Sequence, residues 1–141
     1  MHMRGRRIAF DYGDVRTGVA LCDADGILAS PLCVLETKSK KFISEISSIL
    51  SENEPIRIFI GKPLNMSGSA GESAEKVDAF VEQIQSITTL PIQLVDERLS
   101  TVSAQKKLKE AGVSMRDSKS LIDAMAAVAI LEQGLLSEDL E

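Results

Sequence analysis

Residues 6–23, RRIAFDYGDVRTGVALCD, read as two short strands folded back on each other around a tight GDV turn. A third strand, GILASPLCVLE (26–36), follows the Asp25-Gly26 turn, so the chain opens with three antiparallel strands. Beyond Ser39 the period changes: Phe42, Ile43, Ile46, Ile49 and Leu50 recur at helical spacing and stop before Pro55. IRIFIG (56–61) is a short buried strand, and KPLNMSGSAG (62–71) is a Gly/Ser-rich loop. The helix after it carries Val77, Phe80, Val81 and Ile84 on one side, with Glu72 and Glu75 in its first turn. PIQLVDE (91–97) is the last strand, residues 100–111 form a helix that Gly112 stops, and a long final helix starts near Ser118. The order βββ-α-β-α-β-α-α predicts an α/β fold of ribonuclease H-like type, a mixed five-stranded sheet with helices on both faces. In such a sheet a site belongs beyond the carboxyl ends of the strands.

At 141 residues, with 44% hydrophobic and 26% charged residues, the sequence suits one core. A single domain over 1–141 is expected, with flexible ends over 1–5 and 137–141. No apolar run approaches the roughly 20 residues that span a bilayer, and nothing resembles a signal segment, so a cytoplasmic protein with no membrane partner is expected. Cys22 and Cys33 lack CxxC spacing and read as buried, reduced thiols. His2 is the only histidine. That excludes a Ser-His-Asp triad, a Cys-His pair and an HExxH zinc site, and leaves carboxylates, metals or lysine to run any catalysis. The net charge of −5 argues against a phosphate-rich partner. Between Arg98 and Lys119, however, six basic residues (Arg98, Lys106, Lys107, Lys109, Arg116, Lys119) face two acids, Glu110 and Asp117. This is a basic patch or a solvated helix face.

The apolar run LIDAMAAVAIL (121–131) holds one carboxylate, Asp123, on the same side of a helix as Lys119, Ser120, Ala127 and Ile130. A buried carboxylate costs several kcal/mol unless it is neutralised, paired or bound to metal. Two explanations compete: a first-turn Asp favoured by the helix dipole and reaching water or Lys119, or a metal ligand. Alanines at 124, 126, 127 and 129 would let the helix pack closely on the sheet. Asp11 ends the first strand and Glu97 the last. If the first and fourth strands lie side by side, as the ribonuclease H-like topology has them, these acids meet at one edge and Asp123 can reach the same place. Three acids together repel unless cations sit between them. Hard oxygen donors without histidine suit Mg²⁺ or Mn²⁺, and two such ions about 3.5–4 Å apart can activate water and stabilise a leaving oxygen. Each acid alone also has an ordinary explanation in a turn, a strand end or a first helical turn. Asp96 competes with Glu97, because adjacent strand residues face opposite sides. Glu97 is assigned as the ligand, and Asp96 to a pair with Arg98 or to holding the next helix.

Phosphate contacts are assigned to Arg16, to Lys62 and Asn65 in the Gly-rich loop, to Arg98, Ser100 and Thr101 at a helix start, and to Arg116 and Lys119 just before Asp123. The loop lacks Walker spacing, so it is no nucleotide-binding P-loop. With aromatics at 4%, recognition rests on backbone charge and shape rather than base stacking.

IAFDYGDVRTGVALCD, IGKPLNMSGSAGESAEKVDAFVEQI, LPIQLVDERLSTVSAQKKL and LIDAMAAVAIL, in that order and spacing, resemble the YqgF family of Holliday-junction-resolvase-like, pre-16S ribosomal RNA nucleases. The resemblance runs from about Arg6 to Leu136. It implies a ribonuclease H-like, divalent-metal-dependent endonuclease with Asp11, Glu97 and Asp123 as the metal-binding and catalytic acids. It also implies structured RNA as substrate, at the 5′ end of pre-16S ribosomal RNA. Two alternatives stand beside it: a Holliday junction resolvase acting on four-way DNA as a symmetric dimer, and a nucleic-acid-binding ribosome-assembly or transcription factor with little activity. A monomer or weak homodimer is expected. The chain departs from the family in having Val15 beside a single Arg16 where a basic pair is common, and Lys62 where an apolar residue is common. Both departures concern phosphate contacts and leave the acids untouched.

Overall fold

A computed structural model describes residues 4–62, 72–96 and 118–139. Strands β1 (Arg7–Asp11), β2 (Arg16–Cys22) and β3 (Ala29–Glu36) are followed by α1 (Phe42–Asn53), β4 (Arg57–Lys62), α2 (Glu72–Gln85), β5 (Ile92–Asp96) and α3 (Ser118–Asp139). The sheet order is β3-β2-β1-β4-β5. β1 pairs antiparallel with β2, β2 pairs antiparallel with β3, and β1/β4 and β4/β5 are parallel. The antiparallel opening and the mixed five-stranded sheet are as the sequence predicts. The expected helix over 100–111 lies outside the described residues.

Ile8, Ala9 and Phe10 of β1 are all fully buried, which requires a layer on each side of the sheet. Alternation sorts them. Ile8, Phe10, Val19, Ile58 and Ile60 pack with Phe42, Ile46 and Leu50 of α1 and Val77, Phe80 and Ile84 of α2. Ala9, Ala20, Cys22, Phe59 and Val95 face the other way, against Ala127, Val128, Ile130 and Leu131 of α3. The two faces therefore differ in kind: bulky side chains meet α1 and α2, and mostly small ones meet α3. Small residues on both partners let α3 lie close to the sheet. A Cβ at Gly134 would stand 2.6 Å from the Phe59 ring, and one at Gly18 would stand 1.9 Å from the Asp123 carbonyl oxygen. Of the four alanines expected on the sheet, Ala127 packs there; Ala126 and Ala129 form a separate small cluster with Met125. The hundred-degree step explains this, since 126 lies about 100° around the helix from 127 and 129 about 160°, both off the stripe that carries 127 and 134.

Contacts reach both ends of the described residues. Gly5 donates its N–H to Ala24 O (2.8 Å) and its carbonyl accepts Arg7 Nη1 (2.6 Å). α3 continues to Asp139, and Glu138 is held by Arg7 Nη2 at 3.0 Å and Arg57 Nη1 at 2.9 Å. With side chains 4% and 6% exposed for Arg7 and Glu138, this is a buried ionic anchor. Cys22 is buried, and its Sγ accepts the Arg7 N–H at 3.1 Å; both cysteines are free thiols. No helix among the described residues is long and apolar enough to cross a membrane.

Because β1, β4 and β5 run parallel, their carboxyl ends share one edge of the sheet, and the first turns of α3 come down on that edge. One expectation about this edge needs correcting. β1 and β4 are neighbours, but Glu97 follows β5, and β4 stands between β5 and β1. The two strand axes are thus about 10 Å apart rather than adjacent.

Candidate functional site

Asp11 is the last residue of β1, one position beyond the Phe10–Ile60 pair with β4. It follows Ala9 by two residues, so alternation puts it on the α3 face of the sheet. Its cross-strand partner is Gly18. Gly18 is also where α3 touches the sheet, its missing Cβ leaving room for the Asp123 carbonyl. The backbones of Asp11 and Asp123 therefore meet on opposite sides of a single glycine, with a cross-strand Cα spacing of about 5 Å between Asp11 and Gly18. A glycine there lets the helix approach; any side chain would prop it away.

Arg16, two residues before Gly18, points to the same face. Its Nε donates to Asp123 Oδ2 at 2.6 Å, a short charge-assisted hydrogen bond between side chains 39% and 24% exposed. Asp123 thus has the partner that an acid in an apolar helix needs. That partner is an arginine from β2, 107 residues away in sequence. Arg16, assigned to phosphate from the sequence, is here engaged with a candidate ligand instead.

Other assigned residues divide by position. Lys62 ends β4 on the opposite face from Gly61, and its Nζ lies 3.4 Å from Asp78 of α2. It faces away from Asp11. Asp96, paired in register with Lys62, likewise falls on the face opposite Val95, which packs against α3. Lys119 lies in the first turn of α3. Glu97, Asn65, Arg98, Ser100, Thr101 and Arg116 lie outside the described residues. Among the described residues no group of three His, Cys, Asp or Glu side chains stands ready for a metal ion. Asp11 and Asp123 are the two proposed ligands that the described structure brings together.

The next turn is tied down separately. Asp14 meets Lys76 of α2 at 3.1 Å, and the Tyr12 ring stacks on Phe80 at 4.7 Å. Asp11 therefore sits between a paired strand and an anchored turn. Sequence reasoning missed the Arg16–Asp123 pair, the contact at Gly18 and the Arg7–Glu138–Arg57 anchor. The available signal was the run of small residues at alternate positions, Gly18, Ala20 and Cys22, which marks the side on which a helix can lie close.

A sequence profile of the family described as "RuvX: Holliday junction resolvase" matches residues 5–137. The chain belongs to the RuvX family. This is the family it resembles under the name YqgF. Among curated relatives, a Streptomyces coelicolor protein named "Putative pre-16S rRNA nuclease" is 42% identical over 137 residues, covering 96% of this chain and 82% of that one. A protein of the same name from Mycobacterium ulcerans is 42% identical over 134 residues, covering 94% and 79%. Among solved structures, Thermus thermophilus RuvC in complex with a Holliday junction substrate superposes with a TM-score of 0.62 at 14% identity, covering 95% of this chain and 96% of that one. At that identity the likeness carries the fold alone, and it establishes the ribonuclease H-like architecture for this RuvX chain.

Proposed function

We propose that this RuvX protein is a divalent-metal-dependent endonuclease that hydrolyses phosphodiester bonds in structured RNA, processing the 5′ end of pre-16S ribosomal RNA. The observation that carries the reading is the approach of the Asp11 and Asp123 backbones at Gly18, which sets two acidic residues from opposite ends of the chain at the carboxyl edge of the sheet. Their donors are all oxygen, which suits Mg²⁺ or Mn²⁺. Glu97 is proposed as the third ligand. Gly61 of β4, the strand between β1 and β5, carries no side chain to block the space. Bound ions would supply a water made nucleophilic at neutral pH and a counter-charge for the leaving oxygen.

The chain's own part is placement. Asp11 is fixed by the sheet, and Asp123 by a helix pinned through Gly18 and, about 22 Å along its axis, through Glu138. Arg16, Arg98, Ser100, Thr101, Asn65, Arg116 and Lys119 are proposed to hold substrate phosphates. Lys62, bridged to Asp78 on the other face, is dropped from that set. RNA is favoured by the relatives' name at 42% identity, and a ribosomal RNA substrate supports a cytoplasmic location. A second reading, a resolvase of four-way DNA, is favoured by the family's own description.

The deciding experiment offers a precursor 16S RNA fragment and a synthetic four-way DNA junction side by side, with Mg²⁺ or Mn²⁺, to wild type, Asp11→Asn and Asp123→Asn. Cutting of the RNA by wild type, lost in both variants, is expected. Cutting of the junction alone selects the second reading. Cutting that survives Asp123→Asn sinks the three-acid site.

A further inference from the structure

Arg16 pairs with a proposed metal ligand, Asp123. It reaches Asp123 from β2 across the sheet-helix contact, 2.6 Å from Nε to Oδ2, and the pair straddles Gly18, where Asp11 is in register. An oxygen that accepts a short bond from a guanidinium has less charge to give a divalent ion, and a cation beside the carboxylate repels that ion. Near the same edge Asp14 pairs with Lys76, and Lys62 with Asp78.

We propose that Arg16 is a resident counter-cation that holds Asp123 in the metal-free protein, and that metal loading requires its guanidinium to leave the carboxylate. The inference rests on the metal-site reading above and adds to it a named competitor. Arg16 then has two states. In the first it neutralises Asp123 and keeps the start of α3 seated on Gly18 while no ion is present. In the second, displaced, its charge is freed at the mouth of the site, where a substrate phosphate passes. Three features favour displacement over a permanent pair. Arg16 is 39% exposed, so the guanidinium can be re-solvated. It reaches the site from the first residue of its strand, beside the turn rather than from the strand's middle. Arg7, buried at 4% against Glu138 at the other end of α3, shows what a permanent arginine anchor looks like in this fold.

The test titrates Mn²⁺ into the full chain without nucleic acid, following the free ion by its electron paramagnetic resonance signal, for wild type, Arg16→Gln, Lys76→Gln and Asp11→Asn. A partly exposed pair of this kind corresponds to at most about fivefold in an equilibrium constant, so Arg16→Gln should bind Mn²⁺ about fivefold more tightly than wild type. Lys76→Gln removes a cation bonded to the same turn through Asp14 but does not touch Asp123; its affinity should change less than about twofold. A second readout is thermal: in chelator Arg16→Gln should melt below wild type, and saturating Mn²⁺ should close that gap. Binding lost in Asp11→Asn but no tighter in Arg16→Gln than in wild type overturns the inference while leaving the metal site standing. Equal tightening by Lys76→Gln also overturns it, since general charge would then explain the gain. No binding by any variant overturns both the inference and the metal site.

Discussion

Gly18→Ala places a single methyl group in the contact on which the proposed site depends. The added Cβ would lie 1.9 Å from the Asp123 carbonyl oxygen, 2.5 Å from its carbon and 3.1 Å from the Ala124 nitrogen. All three are backbone atoms, so no side-chain rotation relieves the overlap. An ordinary carbon–oxygen contact is about 3.3 Å, so the start of α3 must withdraw by about 1.4 Å. Overpacking of this severity belongs at the top of the usual range, about 3 kcal/mol, or about 10 °C in Tm for a chain of this size. Function should suffer more than stability: a displacement of about 1 Å at reacting groups costs about a hundredfold in rate. Cleavage by the folded variant should fall by about that factor. Gly134→Ala is the control. There the Cβ meets the Phe59 ring at 2.6 Å, a side chain that can yield in part, at about 16 Å along the helix from Asp123. It should lower Tm by a few degrees and leave cleavage per folded molecule unchanged. The comparison uses calorimetry for stability and initial cleavage rates well below both melting points. A Gly18→Ala protein that melts with wild type and cuts at the wild-type rate would refute the claim that close approach of α3 builds the site.

Glu138→Gln should cost about 3 kcal/mol in urea unfolding, because it leaves Arg7 buried against a neutral amide, while cleavage by the folded fraction stays at the wild-type level; a loss under about 1 kcal/mol would mean the anchor is dispensable. Glu97→Gln should abolish metal-dependent cleavage and Asp96→Asn should retain it, and the reverse pattern in the same assay would exchange their roles. The Asp23 carboxylate accepts the N–H groups of Ile27 (2.7 Å) and Leu28 (3.1 Å), which hold its pKa below the ordinary carboxylate value. Its contribution to the β2–β3 turn is therefore present above about pH 4 and lost as pH falls through the lowered value. Amide exchange of Ile27 and Leu28, corrected for the intrinsic acid rate, should speed up only in that acid window.

Much of this was legible along the chain. Strand and helix identity followed from periods of two and 3.6 residues, and the near absence of histidine narrowed the chemistry to oxygen ligands. Asp123 stood out because a charge in an apolar helix demands a partner. Its partner could not be read off, because Arg16 and Asp123 are far apart in sequence and nothing local in either segment points to the other. The same holds for Arg7 and Glu138, where a helix end that looked free in sequence is among the firmest points of the fold. The expectation that Asp11 and Glu97 sit on adjacent strands failed for a related reason: periodicity identifies strands but not which one lies between two others.

The sequence alone determined the elements, their order, the two-layered burial of the sheet and the kind of atoms available for chemistry, because those follow from local periodicity and composition. Only the tertiary structure decided which acids share an edge and which cation answers Asp123. Those outcomes depend on how closely α3 approaches the sheet, and that distance is set where Gly18 and Gly134 leave out a side chain.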